Sequence, residues 1–348
     1  MFPTSVRSAL AAIVISALAV SAAPGLSLKV AGPDAVTGVE NLKVVATVTN
    51  TGDQTLKILN DPRSPLSKLP ANTFDITDAK GARPAFTGIK VKYSPQAAAA
   101  ASAYTVLAPG QSIDVEHNLS EAYNFTRTGA GEYSFEASNL FYVIDSSNKV
   151  VPIYADSEAL SSKVSGNLAI ARKTEASLSK RATFVGCSAS RQTLLNSAAS
   201  AAQSYAANSL SYINSHTSAS TRYTTWFGAF TSSRRSTVQS HYSLISGNTF
   251  SSYTYDCTCT DSAYAYVYPD TFGRVYLCSA FWNAPATGTD SKAGTLIHES
   301  SHFTRNGGTD DYVYGQSAAK SLASSNPNNA VFNADNHEYF SENTPSLS

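Results

Sequence analysis

The chain has few charged residues, and their signs balance. Only 14% of its 348 residues are charged, with 25 Lys and Arg against 25 Asp and Glu, so the formal net charge is zero. A nucleic-acid-binding protein needs a basic face that displaces counterions from phosphates, and this composition argues against that class. Hydrophobic residues make up 43% of the chain, which is enough for a sizeable packed core.

Long apolar runs are also absent after the N-terminal segment, so no membrane span is expected. The N-terminal segment has an early basic residue, Arg7, then a largely apolar stretch over residues 9–19, then small residues that include Ala19 and Ala22. This pattern is typical of a secretory signal peptide. We predict a signal peptide over residues 1–19, cut after Ala19 or Ala22, and a secreted, extracellular product.

Cysteine is scarce, and none precedes residue 182. An even number of cysteines in a secreted chain predicts two disulfides. A C-x-C metal site is the alternative, but no second cysteine pair lies nearby. Cys257 and Cys259 lie too close along an extended chain to bond to each other, so the pairing is Cys187–Cys257 with Cys259–Cys278, or the crossed option.

The composition changes near residue 182, since five of the six histidines also lie after it. Between residues 24 and 170, short stretches such as 42–49, 104–107, 133–137 and 140–144 have strand character and are separated by turn signals. They predict an all-β, sandwich-like unit. A polar segment follows and ends at the dibasic pair Lys180–Arg181, a cut site for processing proteases. We therefore predict a propeptide over residues 20–181 and a separate domain over residues 182–348.

In residues 182–348 the apolar residues recur mostly at helical spacing, and a small region has strand character. The whole chain is therefore predicted to be α+β. Helices are expected around 194–205, over 237–245 with Ser236 as N-cap, and over 291–303, 312–324 and 328–340. Short strands are expected over 263–269 and 275–281, around the cysteines.

The segment His298-Glu299-Ser300-Ser301-His302 carries the chemistry. Two histidines at i and i+4 share one face of a helix, so both imidazoles can reach one zinc ion. Glu299 then lies close enough to take a proton from the water on that ion. Either histidine alone would be read as a packed side chain, but the pair with a glutamate between them indicates a metalloprotease.

Zinc needs a third protein ligand, and catalysis needs an open fourth position. Gly307–Gly308 lets the chain turn back after the helix, and two aspartates follow within nine residues of His302. This short return favours an aspartate, but spacing does not choose between the two. The candidates are Asp310, Asp311, His337, Glu338 and Glu342.

Residues 308–315, G-T-D-D-Y-V-Y-G, resemble the G-T-x-D-x-x-Y-G pattern of the aspzincins, the deuterolysin-like metalloendopeptidases. The resemblance covers nearly all of residues 183–348 and is greatest to the fungal peptidyl-Lys branch. It implies a zincin-type catalytic domain with Asp311 as third zinc ligand and Tyr314 as a hydrogen-bond donor to the oxyanion. It also implies that Asp335 and Glu338 form the pocket for the lysine that follows the cut bond.

We therefore expect a monomeric zinc metalloendopeptidase that cuts proteins and peptides on the amino side of lysine, with Glu299 as general base. One alternative is broader specificity, and a second makes Glu338 or Glu342 the third ligand. A third treats the sandwich as the working module that binds another partner. The propeptide is expected to assist folding and to block the enzyme. Since it has no cysteine, the blockade would use His117, an acid or simple occlusion.

Overall fold

The computed structural model describes residues 25–170 and 181–348. The predicted signal peptide and Lys180 of the dibasic pair lie outside these described residues. Helices and strands mix throughout the described ranges, as predicted for an α+β chain. None of the helices in these two ranges is long and apolar enough to cross a membrane.

Residues 25–170 form mainly short strands. Two 3₁₀ turns, Val39–Asn41 and Leu119–Glu121, interrupt them. The elements are β1 (Leu26–Ala31), β2 (Ala35–Thr37), β3 (Lys43–Asn50), β4 (Leu56–Leu59), β5 (Phe74–Asp78), β6 (Ala85–Phe86), β7 (Lys90–Lys92), α1 (Pro95–Ala100), β8 (Tyr104–Leu107), β9 (Ser112–Asn118), β10 (Tyr123–Asn124), β11 (Gly131–Ala137), β12 (Leu140–Ile144), β13 (Val150–Tyr154), β14 (Asp156–Glu158) and β15 (Leu160–Ser165).

Most of these strands lie in three four-stranded sheets, ordered β14-β1-β3-β9, β2-β15-β11-β5 and β13-β12-β4-β8. In β3, Val44, Ala46 and Val48 alternate into the interior, because successive strand side chains point to opposite faces. All three sheets contribute to one apolar core, which includes Phe135 and Phe141. The strands expected at 104–107 and 140–144 are present at those residues, and the stretch 133–137 lies within β11. The sandwich arrangement itself stays a prediction.

The expectation that this unit is all-β was wrong at one place, since α1 is a helix. Ser94 caps it by accepting a hydrogen bond from the Ala97 amide at 3.3 Å. Pro95 occupies the first turn, where its missing N–H costs nothing, and alanines continue the helix. A cap, a proline and an alanine run together define a short helix that the alanine run alone did not reveal.

Residues 181–348 are mostly helical, with a 3₁₀ turn at Phe250–Ser252. The elements are β16 (Thr183–Val185), α2 (Ala189–Ser215), α3 (Thr221–Phe227), α4 (Ser232–Ser246), β17 (Thr254–Asp256), β18 (Ala265–Val267), β19 (Arg274–Leu277), α5 (Ser279–Asn283), α6 (Lys292–His302), α7 (Gln316–Ser325), α8 (Pro327–Ala330) and α9 (Ala334–Glu342).

Three helix boundaries differ from the sequence-based expectation. Helix α4 begins earlier, because the Thr231 hydroxyl, not Ser236, accepts the capping hydrogen bond. Helix α7 begins only after Gly315, since residues 310–315 form a loop. The helix expected over 328–340 is split into α8 and α9. Between them the chain pairs with Asp310, whose amide donates to Phe332 and whose carbonyl accepts from Ala334.

A strand of the N-terminal unit completes the sheet of the C-terminal unit. That sheet has the order β16-β17-β19-β18-β7. Strand β7 runs antiparallel to β18, with Val91 opposite Tyr266 and Lys92 opposite Ala265. No sequence pattern predicted this pairing. The pairing places residues of the predicted propeptide beside α6.

Both disulfides of the first predicted pairing are formed, and the crossed option was wrong. Cys187 bonds to Cys257 across 70 residues, and Cys259 bonds to Cys278 across 19. The first bond joins the start of α2 to the end of β17, and the second joins the loop after β17 to the end of β19. Together they fix the small sheet against the helices.

The two disulfides are expected to differ in their contribution to stability. In the loop-closure model, removing Cys187 and Cys257 costs about 4 kcal/mol and removing Cys259 and Cys278 about 3 kcal/mol. Paired Cys→Ala variants can be compared by urea unfolding of the full-length chain. Both tryptophans, Trp226 and Trp282, lie in the C-terminal unit, so their fluorescence reports its unfolding. A larger loss for the shorter loop would contradict this expectation.

Candidate active site

Helix α6 carries the HExxH segment and is buried along its whole length. Ser291 caps it, and the Glu342 carboxylate accepts hydrogen bonds from the Ser291 amide and hydroxyl, both at 2.8 Å. Gly294 is required where α6 meets α9, because a Cβ there would lie 2.1 Å from a Glu342 carboxylate oxygen. These contacts fix the position of α6 relative to α9.

His298, His302 and Asp311 converge on one point. Asp311 Oδ1 lies 3.1 Å from His298 Nε2 and 3.3 Å from His302 Nε2. Within the described part of the chain, none of these three buried atoms has a partner in hydrogen-bonding geometry. Unsatisfied buried donors and acceptors are costly, so their convergence fits a bound cation. Two imidazole nitrogens and one carboxylate oxygen are a donor set that suits zinc and leaves a coordination position open.

Neighbouring groups orient the two imidazoles. His302 Nδ1 lies 2.8 Å from the Thr309 carbonyl, so it carries the proton and leaves the Nε2 lone pair free. His298 Nδ1 lies 2.8 Å from Asp335 Oδ1. Burial would raise the pKa of Asp311, but the imidazoles of His302 and His298 in their charged form hold it well below its usual range. A metal cation between neutral imidazoles would favour the ionised carboxylate in the same way.

Two of the other candidate ligands face lysines. Asp310 forms an ion pair with Lys90, and Glu338 Oε2 lies 2.7 Å from Lys92 Nζ. Among the described residues a second cluster, His298 with Asp335 and Glu338, could hold a cation, and the Lys92 ammonium lies against its carboxylates.

The remaining two candidates are engaged elsewhere. The Glu342 carboxylate caps Ser291, as described above. His337 donates or accepts at both ring nitrogens, with His241 at 3.1 Å and the Asn333 carbonyl at 3.0 Å. Burial lowers the pKa of His337 to about 3, so it stays neutral. The geometry therefore favours Asp311 over all the alternatives.

Glu299 is fully buried beside this cluster. Its Oε1 accepts a hydrogen bond from the Lys92 amide at 3.2 Å, and its Oε2 has no partner among the described residues. Burial raises the pKa of the Glu299 carboxyl to about 8, against the opposing charge of His298. A carboxyl group with a pKa near neutrality can both accept and release a proton, as a general base and acid must.

The Lys92 side chain fills a buried pocket of carboxylates. Its Nζ lies 2.7 Å from Glu338, 3.1 Å from Asp290 and 3.8 Å from Asp335, and its side chain is 2% exposed. The rings of Tyr264 and Tyr339 lie 5.1 and 5.6 Å from the ammonium. Burial would lower the pKa of Lys92, but Glu338 and Asp335 hold it well above its usual value. The pocket thus accommodates a charged ammonium group.

Tyr314 contacts the peptide group between Val91 and Lys92. Its hydroxyl donates to the Val91 carbonyl at 2.5 Å, and burial raises its pKa well above the usual value. The Arg63 guanidinium lies over the Tyr314 ring, 4.2 Å from its centroid. Tyr314 is therefore a neutral phenol that donates a hydrogen bond to a carbonyl oxygen.

Sequence reasoning missed Lys92, Asp290 and Arg63. Lys92 contacts residues about two hundred positions away, and no local pattern distinguishes it from other lysines of the N-terminal unit. Asp290 lies just before the cap of α6 with a φ of 51°, a left-handed conformation that the sequence did not indicate. His117, a candidate blocking ligand, lies elsewhere, against Phe74 with its Nε2 bonded to the Pro65 carbonyl.

Comparisons with known proteins identify the relatives of this chain. A family model described as lysine-specific metallo-endopeptidase matches residues 212–342. A peptidyl-Lys metalloendopeptidase from Grifola frondosa is 61% identical over 346 residues, which cover 98% of this chain and 99% of the relative. The chain belongs to this family. It is a metalloendopeptidase.

Two further relatives each match about half of this chain. A peptidyl-Lys metalloendopeptidase from Pleurotus ostreatus is 72% identical over 167 residues, which cover 48% of this metalloendopeptidase and 99% of the relative. The solved structure of a zinc peptidase from Grifola frondosa is 67% identical, covers 47% of this chain and 100% of its own, and has a TM-score of 0.46.

Neighbouring aspartates allow a matched test of the third ligand. Asp311→Asn should weaken zinc binding by at least about 100-fold, because loss of a direct ligand exceeds the usual effect of losing an outer contact. Asp310→Asn should leave it unchanged. The measurement is the zinc content of each full-length variant during titration with a chelator. Tight zinc binding by the Asp311 variant would instead favour a glutamate ligand.

Proposed function

We propose that the chain is the precursor of a secreted zinc metalloendopeptidase that hydrolyses peptide bonds on the amino side of lysine. The observation that carries this proposal is the position of Lys92. Its ammonium group lies among the carboxylates of the pocket, and its backbone amide donates a hydrogen bond to Glu299. The ammonium pocket thus binds the side chain of Lys92, and the proposed general base contacts its backbone nitrogen. The Val91–Lys92 peptide bond therefore lies at the catalytic centre.

His298, His302 and Asp311 are the proposed zinc ligands. Their converging, unsatisfied atoms support this assignment. A zinc ion held there supplies a Lewis acid that polarises the scissile carbonyl and makes water more acidic.

Glu299 is the proposed general base. It takes a proton from the attacking water and delivers it to the amide nitrogen that leaves, an atom it already contacts in Lys92. Tyr314 is the proposed donor to the oxyanion, because its hydroxyl already points at the carbonyl oxygen before that nitrogen. A hydrogen bond that strengthens as charge develops on this oxygen stabilises the transition state more than the substrate.

Glu338, Asp335 and Asp290 are the proposed lysine selectors. Asp335 and Glu338 lie at i and i+3 on α9 and so share a face. A buried cluster of carboxylates is costly unless a cation enters it, which disfavours apolar side chains at this position. The ammonium of lysine is compact and can approach all three carboxylates, as Lys92 does.

We propose that residues 1–19 are a signal peptide, 20–181 a propeptide and 182–348 the mature enzyme, with processing after Lys180–Arg181. The Pleurotus relative supports this division, since its matched length of 167 residues equals 348 − 181. Until the propeptide is removed, β7 lies in the cleft formed by Glu299, Asp311 and the carboxylate pocket, where it excludes other substrates. Occlusion by an extended strand therefore replaces the metal-binding blockade that His117 would have supplied.

Cleavage mapping tests the proposed specificity. The matured, zinc-loaded enzyme is expected to digest a denatured protein so that the new N-termini begin with lysine. The new N-termini are identified by mass spectrometry, and Glu299→Gln enzyme with the same zinc content serves as the inactive control. A scatter of other residues at the new N-termini would point to the broader-specificity alternative.

Amide variants of the pocket should separate binding of lysine from binding of metal. Glu338→Gln and Asp335→Asn should each lower kcat/KM for a lysyl peptide by about 30-fold or more, because each removes one partner of a buried charge pair. Asp290→Asn should have a smaller effect, of about 10-fold, since this carboxylate is 36% exposed.

The control for these variants is Asp270→Asn, a carboxylate that bonds to Thr304 away from the pocket. Activities are compared at a zinc concentration that loads all four variants fully, because Asp335 also lies 2.8 Å from His298 Nδ1 and its loss should weaken zinc binding. Equal losses in all of them, or losses that follow zinc content, would contradict a role in lysine selection.

A further inference from the structure

We propose that the Val91–Lys92 peptide bond is a self-cleavage site, the first substrate of this precursor's own active site. The inference rests on the proposed function and extends it to a bond within the chain. Three independent features of the structure carry it, namely the direction of β7, the placement of its peptide groups and the occupancy of the ammonium pocket.

Strand β7 lies at the edge of its sheet and runs antiparallel to its neighbour β18, as an added peptide strand can. It pairs antiparallel with β18 over three residues, from Lys90 opposite Val267 to Lys92 opposite Ala265. Addition of an extended peptide to an exposed edge fixes the register through main-chain hydrogen bonds, and pockets then read alternate side chains. The segment therefore lies in the cleft as a peptide substrate would.

The catalytic groups bracket a single peptide unit. The Val91 carbonyl accepts from Tyr314 at 2.5 Å, and the Lys92 amide donates to Glu299 at 3.2 Å. The Val91 amide donates to Asp311 Oδ2 at 3.0 Å, which fixes the residue before the bond. This placement puts the carbonyl of one peptide bond at the proposed oxyanion donor and its nitrogen at the proposed base, as cleavage of that bond requires.

The side chain of Lys92 completes the match. It fills the pocket formed by Glu338, Asp335 and Asp290, so the residue after the proposed cut is the one that the enzyme selects. Lys90, two residues earlier, pairs with Asp310 at the entrance to the site and leaves the pocket to Lys92.

The reaction is a simple hydrolysis that needs no co-reactant other than water. Water oxygen bonds to the Val91 carbonyl carbon, and one water proton passes to Glu299 and then to the Lys92 nitrogen. The carbon–nitrogen bond breaks, and the second water proton passes from the new carboxyl group to the amine, which leaves a carboxylate on Val91 and an ammonium on Lys92.

Both new ends would stay held in the structure. Ile89 and Tyr93, on either side of β7, are buried in one apolar cluster with Ala263 and Cys278 of the C-terminal unit. The product is therefore a nicked chain whose two fragments separate under denaturing conditions and remain associated under native ones.

The main experiment uses the full-length precursor with Lys180→Ser and Arg181→Ser, which removes the dibasic site. After zinc loading and incubation, denaturing mass spectrometry should show fragments split between Val91 and Lys92. Adding Lys92→Met or Glu299→Gln should abolish this cut. Adding Lys163→Met, which replaces an exposed lysine on β15, should leave it unchanged.

A binding measurement supports the inference without depending on the folding of a precursor variant. A synthetic peptide of residues 86–96 is titrated calorimetrically into matured, zinc-loaded Glu299→Gln enzyme. The same peptide with Met in place of Lys92 should bind at least about 30-fold more weakly, because the buried carboxylates lose their cation. Equal affinities for the two peptides would overturn the proposed register.

The outcomes separate this inference from the proposed function. If matured enzyme cleaves a lysyl peptide but the precursor stays intact, or is cut only at another bond, self-cleavage at Val91–Lys92 is wrong and the function stands. A cut that persists in the Glu299→Gln precursor also overturns self-cleavage, since another protease must make it. If matured enzyme cleaves no lysyl peptide, the proposed function itself fails.

Discussion

The structure depends on compensation of negative charge that is buried around helix α6. Carboxylates in a low-dielectric interior are costly unless cations or hydrogen bonds pair them. Here the protein supplies three kinds of partner, the donors at a helix N-terminus, the imidazoles of α6 and one lysine ammonium. The buried carboxylates concerned are Glu299, Asp311, Asp335, Glu338 and Glu342.

This constraint explains why the proposed metal centre and the ammonium pocket adjoin each other. His298 contacts both, with Nε2 toward Asp311 and Nδ1 toward Asp335. A cation in either place therefore stabilises carboxylates that the other place also uses. A lysyl substrate thus completes an electrostatic arrangement that the fold leaves unfinished, which is a physical basis for selecting a charged side chain over an apolar one.

Local patterns predicted the parts of the site that lie within one helix. His298, Glu299 and His302 followed from helical spacing, whereas the family resemblance, and not the spacing, assigned Asp335 and Glu338 to a pocket. Spacing could not select Asp311 over Asp310, because a loop whose course depends on pairing with residues 332–334 decides which carboxylate turns inward. The pattern of alternating residues located strands but could not show that β7 leaves its own unit to pair with β18, since such contacts join residues far apart in sequence.

Attachment of the proposed propeptide to the enzyme would determine how firmly such a strand blocks the active site. Strand pairing, the buried Lys92 side chain and the apolar cluster around Ile89 and Tyr93 hold the strand in place. A covalent linker adds an effective concentration that can reach the millimolar range. A cut near Arg181, as proposed, would convert the same contact into a bimolecular one, which dilution weakens. A cut between Val91 and Lys92 would divide the residues of β7 between two fragments, so each fragment would make fewer contacts with the enzyme. The precursor can therefore combine a substrate-like strand with reversible inhibition, since the linker strengthens the contact only while it is intact.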